Sequence, residues 1–260
     1  MRDIPIQFVV MTYNLWAYDR WPERADSLRT FLQWNAPDIL GVQELRPETQ
    51  KLLDDVLVEH QRIDDIFPGW THEGNIYWHS AMFELVDYGA EEIGILEELR
   101  RLFWVRLRCG PSLKHTLLVS TAHYTQPGAQ AEYEGGINPR HEQANRTVGA
   151  LAHLVQDDEP VLFMGDLNDF FHPLRILREA GLRDCFAGLG QTPKPTHPAM
   201  PTARSKFPLM PWDTPKVYDW LMHRGPIKPK TCAVVDYYYG DLAPSDHKPV
   251  VATYALLSKS

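Results

Sequence analysis

Six short segments concentrate acids, amides and histidines in patterns suited to phosphoryl chemistry: Thr12-Tyr13-Asn14, Val42-Gln43-Glu44, Thr121-Ala122-His123, Gly165-Asp166-Leu167-Asn168-Asp169, Tyr218-Asp219-Trp220 and Ser245-Asp246-His247. Hard divalent cations take oxygen ligands and leave positions for water and phosphate, and Glu44, Asn14 and Asp246 supply that ligand type. Asp166 and Asn168 stand two residues apart, so an extended stretch would point both side chains to one face. One can then accept a proton from water while the other holds that water or a phosphoryl oxygen. His123 and His247 can donate to phosphate oxygens as their charge rises in the transition state. Asp219 can orient His247, as carboxylates behind an imidazole commonly do.

Each segment alone has an ordinary structural explanation. Asp-Leu-Asn-Asp after a strand is common turn chemistry, and a histidine on an apolar strand is commonly a hydrogen-bonded core residue. Together they point to one site. Competing chemistries fit less well: Ser245, Asp246 and His247 are contiguous, so their side chains diverge and form no Ser-His-Asp triad. The chain carries neither a phosphate-binding P-loop nor a dinucleotide glycine fingerprint.

These side chains need strands to hold them. Apolar runs rich in β-branched and aromatic residues read as buried strands at Gln7–Leu15, Ile39–Gln43, Leu102–Arg108, Thr116–Ala122, Val161–Gly165, Val217–His223, Ala233–Tyr238 and Pro249–Leu256. Amphipathic helices are predicted at Pro22–Trp34, Pro47–Glu59, Arg140–Gln156 and Pro173–Ala180. Strands alternate with helices early, and hairpin-like neighbours follow in the middle. The order therefore predicts α/β layers with mixed sheets. The acids, amides and histidines of four segments, ending with Ser245-Asp246-His247, are placed at the C-terminal ends of buried strands, where sites in such proteins are assembled.

The 260 residues carry 34 acids and 26 bases, a net charge of −8, with 44% hydrophobic residues. That is an ordinary globular composition, and it excludes disordered, collagen-like and coiled-coil classes. It fits one domain over 1–260 with a Pro-rich loop insert at 191–216. Residues 170–260 hold 12 bases against 7 acids, so the acidic excess lies in the first two thirds and one basic face stays feasible. The three scattered cysteines predict neither a zinc site nor a disulfide framework, and read as reduced thiols. No apolar run approaches a membrane span, and Met1 to Pro5 lead straight into a strand without room for a leader. A cytoplasmic protein is expected. No protein partner can be read.

The order Asn14, Gln43-Glu44, His123, Gly165-Asp166-x-Asn168, Asp219, Ser245-Asp246-His247 resembles the endonuclease/exonuclease/phosphatase superfamily from about Phe8 to about Tyr254. Phe83 to Gly89, Arg101 to Leu107 and Arg140-His141-Glu142-Gln143 resemble intervening stretches of its members. The resemblance implies an α/β fold, a four-layer α-β-β-α sandwich of two packed mixed β-sheets flanked by helices. It also implies Mg²⁺- or Mn²⁺-dependent hydrolysis of a phosphate ester. By motif, Glu44 is the principal metal ligand, with Asn14 and Asp246 near the metal. Asp166 activates or positions water, Asn168 orients the phosphate, and His123 and His247 stabilise it, with Asp219 paired to His247. Whether Asp166 or the Asp219–His247 pair is the base stays open. The leading expectation is a phosphodiesterase or nuclease. The alternatives are action on a small molecule or lipid headgroup, and a non-enzymatic scaffold. Arg204, Lys206 and Trp212 of the Pro-rich insert are expected to contact substrate, the bases pairing phosphate and the indole stacking.

Overall fold

A computed structural model of the chain describes residues 6–109, 116–200 and 215–257. Among them the strands are β1 (Gln7–Asn14), β2 (Ile39–Gln43), β3 (His60–Arg62), β4 (Gly74–His79), β5 (Phe83–Glu91), β6 (Leu102–Cys109), β7 (Thr116–His123), β8 (Val161–Asp166), β9 (Arg183–Asp184), β10 (Asp219–Arg224), β11 (Ile227–Val234) and β12 (Val250–Leu256). The helices are α1 (Ala25–Asn35), α2 (Pro47–Val56), α3 (Gly69–His72), α4 (Gln130–Gly135), α5 (Pro139–Leu154), α6 (His172–Glu179) and α7 (Cys185–Gly188).

The strands form two mixed six-stranded sheets, ordered β11-β12-β1-β2-β4-β3 and β5-β6-β7-β8-β10-β9. Only the β1–β2 and β7–β8 pairs are parallel, at the centre of each sheet. These central strands face one another across the sandwich. The pleat sorts their side chains. Along β1, Phe8 and Val10 enter the layer between the sheets, whereas Met11 and Tyr13 join α1 and α2 in a second apolar cluster on the outer face. Leu28, Phe31 and Leu32 of α1 and Leu52 and Leu53 of α2 complete that outer cluster. α5 and α6 pack together and give Ala144, Leu151, Leu174 and Leu177 to the main core.

Two glycines set how closely the layers approach. A Cβ on Gly41 would lie 2.6 Å from the Met164 sulfur of the opposite sheet. A Cβ on Gly165 would lie 2.0 Å from the Ala122 carbonyl oxygen, at a backbone φ of 152°. Neither position accepts a side chain without movement, so the polar residues next to them are fixed to within the tolerance of sheet packing.

The structure differs from the sequence reading in several places. The final hairpin begins at Ile227, six residues before the expected Ala233. Its first strand is an edge strand, and edges tolerate Pro229 where a register shift absorbs the lost donor. Ser245-Asp246-His247 precedes β12 instead of ending a strand; β12 runs antiparallel to β1, so its start still reaches the same edge. The cysteines are not all reduced: Cys185 and Cys232 form a disulfide joining α7 to β11, while Cys109 is a buried thiol. No helix among the described residues is long and apolar enough to cross a membrane.

His223 near the end of β10 generates a stability prediction. Burial, then the nearby Arg183 charge, lowers its pKa from 6.5 to about 4. Between those values the unfolded chain binds a proton that the folded protein refuses. The stability it protects is therefore complete above pH 6.5 and declines as pH falls toward 4. Relative to His223→Phe, the wild type should lose up to ~1.4 kcal/mol per pH unit across that window in urea unfolding. Parallel pH profiles for the two proteins would contradict this.

Candidate functional site

The inner faces of the central strands stay apolar until their last turn and then become polar together. Thr12, Gln43 and Thr121 form the first polar layer: the Gln43 amide donates to Thr121 Oγ1 at 2.8 Å and to Thr12 Oγ1 at 3.1 Å, bridging the two sheets. All three are buried. One residue beyond Gln43, Glu44 turns into the left-handed region at φ 53°, which redirects its carboxylate across the open end of the sandwich.

Above that layer the site assembles. Asn14 Nδ2 donates to Glu44 Oε1 at 3.1 Å and to Asp166 Oδ2 at 3.0 Å, so one amide joins carboxylates from opposite sheets. Its Oδ1 accepts from the Trp16 N–H at 2.9 Å. His123 lies beside Asp166 in the parallel β7–β8 register, with Nε2 3.5 Å from Asp166 Oδ2 and 3.8 Å from Glu44 Oε1. Asp219 opens β10 directly opposite Asp166 in the antiparallel ladder. It meets His247 Nδ1 at 2.8 Å, leaving His247 Nε2 3.7 Å from Asp166 Oδ2. Ser245 Oγ donates to the Asn14 carbonyl at 2.7 Å and ties the last loop to the first strand.

Asp166 and Asn168 do come together, but not through an extended stretch. Asn168 has φ 50°, and its N–H donates to Asp166 Oδ1 at 2.8 Å, a side-chain-closed turn. Its side-chain amide donates to the Tyr124 carbonyl at 2.9 Å and contacts His123 Nε2 at 3.0 Å. With the amide orientation set by Tyr124, His123 Nε2 is the acceptor, and the imidazole carries its proton on Nδ1.

Burial and neighbouring charges tune these groups in opposite directions. Burial, increased by the Asp219 charge and opposed by His247, pushes the Asp166 carboxyl up to about 6. Glu44 is raised by burial and then by the charge of Asp246. Burial also disfavours a charged His247, yet Asp219 and Asp166 outweigh it and hold the imidazole well above its ordinary range. His123 is held well below that range by burial and by Arg100, His247 and Arg46. A cationic His247 and a neutral His123 thus share the site with four carboxylates.

The chemistry of the donors suits a divalent cation. Glu44 and Asp246 raise the cost of each other's charge, and a cation between carboxylates relieves it. Two groups bring three ligand atoms within 4.8 Å of one another: Asp166 with Asp219 and His247, and His197 with Asp246 and His247. Every sequence-predicted residue among Asn14, Glu44, His123, Asp166, Asn168, Asp219, Asp246 and His247 reaches this edge. Arg204, Lys206 and Trp212 lie outside the described residues.

Two contributors carried no sequence signal. His197 sits in a Thr-His-Pro turn of the Pro-rich stretch. Arg24 is buried under the first loop, its guanidinium donating to the carbonyls of Asp19 at 2.6 Å, Ala17 at 2.8 Å, Trp16 at 3.0 Å and Pro244 at 2.7 Å. It links the turn after Asn14 to the turn before Asp246, between the Trp16 and Trp21 rings.

The profile of the Endonuclease/Exonuclease/phosphatase family matches residues 11–247. No curated protein sequence matches the chain. Solved structures share its fold at low identity. TDP2 of D. rerio, in complex with a single-strand DNA product, is 18% identical with TM-score 0.77, covering 95% of this chain and 98% of that one. An endonuclease/exonuclease/phosphatase of Bacteroides vulgatus is 15% identical with TM-score 0.77, covering 96% and 99%. A mannosyl-6-phosphatase of Bacteroides thetaiotaomicron is 18% identical with TM-score 0.74, covering 94% and 98%.

Arg24 yields a direct test. Arg24→Met removes the guanidinium from four loop carbonyls, of which only that of Trp16 keeps a backbone donor, and should cost about 3 kcal/mol because unpaired buried acceptors keep their desolvation penalty. Urea unfolding should show a lower midpoint with an unchanged slope. A midpoint equal to wild type would refute this role.

Proposed function

The chain belongs to the Endonuclease/Exonuclease/phosphatase family, and from that premise we propose that it hydrolyses phosphate esters with Mg²⁺ or Mn²⁺. The observation that carries the reading is the Asn14 amide between Glu44 and Asp166, with the Asp219–His247 pair facing the same point. Glu44, Asn14 and Asp246 would hold the cation, which when bound neutralises the phosphate and lowers the pKa of water. Asn14 Oδ1 would then exchange its contact with the Trp16 N–H for the cation.

The residues divide the remaining work. Water attacks phosphorus, a new P–O bond forms and the ester P–O bond breaks, Asp166 taking one proton of the attacking water while the departing ester oxygen is protonated from solvent. Asp166 is favoured over the Asp219–His247 pair, because an imidazole held cationic by Asp219 and Asp166 is poor at accepting a proton. His247 donates from Nε2 to the phosphoryl oxygens as their charge grows. Asn168 turns an amide hydrogen to the same group by giving up its contact with His123 Nε2 while keeping that to the Tyr124 carbonyl. In the free site His123 receives an Asn168 hydrogen bond, so it acts by orienting that amide.

A phosphodiesterase of the nuclease class is the leading form of the proposal. Phe170 and Phe171, 58% and 59% exposed, stand just past Asp169 in the same loop and offer rings on which bases can stack. A small phosphoester is the second reading, supported by a different observation. Arg46 and Arg100 are tied to Glu73, Arg140 to Glu132 and Lys248 to Asp236, which leaves these cations little free charge for a polyanion. We also read residues 1–260 as one catalytic domain. A cytoplasmic location remains part of the proposal, with the Cys185–Cys232 disulfide an exception to the usual scarcity of such bonds in reducing compartments.

Labelled single- and double-stranded DNA and RNA, a bis-aryl phosphodiester and sugar phosphates should be assayed side by side with Mn²⁺. Asn168→Ala and His247→Ala should each lower kcat by ~10²–10³ on the true substrate while keeping the far-UV spectrum. EDTA should abolish turnover, and Mg²⁺ or Mn²⁺ should restore it. Undiminished turnover in Asp166→Ala, or insensitivity to chelation, would overturn the reading.

A further inference from the structure

His197 reaches the catalytic edge from a segment that the phosphoesterase reading leaves unused. Its backbone is tightly held. The His197 N–H donates to the Lys216 carbonyl at 3.0 Å, and the His197 carbonyl accepts from the Lys216 N–H at 2.8 Å. The flanking Thr196 carbonyl accepts from Lys248 N at 2.7 Å, and Ala199 N donates to the Asp246 carbonyl at 2.5 Å. Thr196 Oγ1 also receives the N–H groups of Tyr218 and Asp219 at 2.9 and 3.2 Å. The turn is thus stitched to the leads into both β10 and β12, and the imidazole inherits that placement. Its Nε2 lies 3.7 Å from Asp246 Oδ2, and its ring centre is 4.9 Å from that of His247.

We propose that His197, Asp246 and His247 form an imidazole-rich site for a borderline transition cation such as Zn²⁺ or Co²⁺, which shares Asp246 with the oxygen-donor site at Glu44 and Asn14. The three ligand atoms already lie within 4.8 Å of one another. Tetrahedral coordination with bonds of 2.0–2.1 Å puts ligand atoms about 3.3 Å apart, so closure needs movement of no more than about 1.5 Å in any pair. The Asp219 carboxylate keeps a proton on His247 Nδ1, the usual support of a metal-bound histidine, so the cation ligates Nε2 by displacing the proton held there. Two nitrogens and one carboxylate select against Mg²⁺, which prefers oxygen donors, and favour ions that accept imidazole. A cation held there occupies the His247 Nε2 assigned to the phosphate. Zn²⁺ is consequently an inhibitor, a consequence that rests on the proposed phosphoesterase reading.

The site itself is tested without substrate. Co²⁺ is titrated into the wild type, His197→Ala, His197→Cys and Glu44→Gln while visible absorption is followed. Imidazole-bound Co²⁺ of low coordination number absorbs far more strongly than the octahedral ion in oxygen ligands. The wild type and Glu44→Gln should give the intense bands. His197→Ala should lose them, with at least tenfold weaker Co²⁺ binding. His197→Cys should regain binding with an added near-ultraviolet sulfur-to-cobalt band, which also excludes simple misfolding of the alanine variant. Absence of intense bands in the wild type would overturn the proposal. So would their persistence in His197→Ala, or their loss in Glu44→Gln alone. Failure of the phosphoesterase assays would leave this binding result standing.

Discussion

The structure depends on carboxylates gathered where two β-sheets meet. Glu44, Asp166, Asp219 and Asp246 converge on one edge, and Asp166 and Asp219 are almost fully buried. Their mutual repulsion and desolvation would be prohibitive without compensation. The Asn14 amide spans Glu44 and Asp166, His247 lies between Asp219 and Asp166, and the Asn168 backbone donates to Asp166. Most of these donors come from a different strand or loop than the carboxylate they meet. The site can therefore exist only in the folded sandwich, and its free energy is partly that of the fold.

Placing these groups requires two registers to agree. Within the second sheet, the β7–β8 and β8–β10 ladders put His123, Asp166 and Asp219 in one row. Within the first, the β1–β2 ladder pairs Asn14 with Gln43 and leaves Glu44 one residue beyond. A one-residue slip in any of these pairs would turn a ligand outward, because side chains alternate faces. The Gln43–Thr121 hydrogen bond locks the two rows together just beneath the site, and the bare Cα of Gly41 lets the sheets approach there. Polar residues in that layer thus transmit the register of one sheet to the other.

Much of this was legible in the sequence because buried strands announce themselves. Runs such as Val161-Leu162-Phe163-Met164 are apolar on both faces, so a polar residue at their end stands out as Asp166 does. Other parts left no such trace. β4 follows a short helix and mixes Asn75, Tyr77 and His79 with apolar residues, which gives neither clean alternation nor an unbroken run. The left-handed backbone at Glu44 and Asn168 depends on tertiary hydrogen bonds, so spacing alone suggested the wrong local geometry for Asp166 and Asn168. The Cys185–Cys232 bond joins residues 47 apart, a pairing that only the β10–β11 turn makes visible. Arg24 reads as one charge at a helix start, yet it is buried because four carbonyls from two loops surround it.

Charge placement also bears on what the site can accept. A site with several carboxylates and one cationic imidazole repels an anion until positive charge is added. In many phosphate-binding proteins that charge comes from free arginines. Here Arg100 and Arg46 already share Glu73, and Arg140 answers Glu132. Under the proposed metal-dependent hydrolysis, affinity for the phosphate would come largely from bound cations, and affinity for the rest of the substrate from the exposed rings at Phe170 and Phe171. Such a division makes binding depend on metal occupancy more than on ionic strength. It is the opposite of the steep salt dependence of a surface that neutralises many phosphates with lysine and arginine.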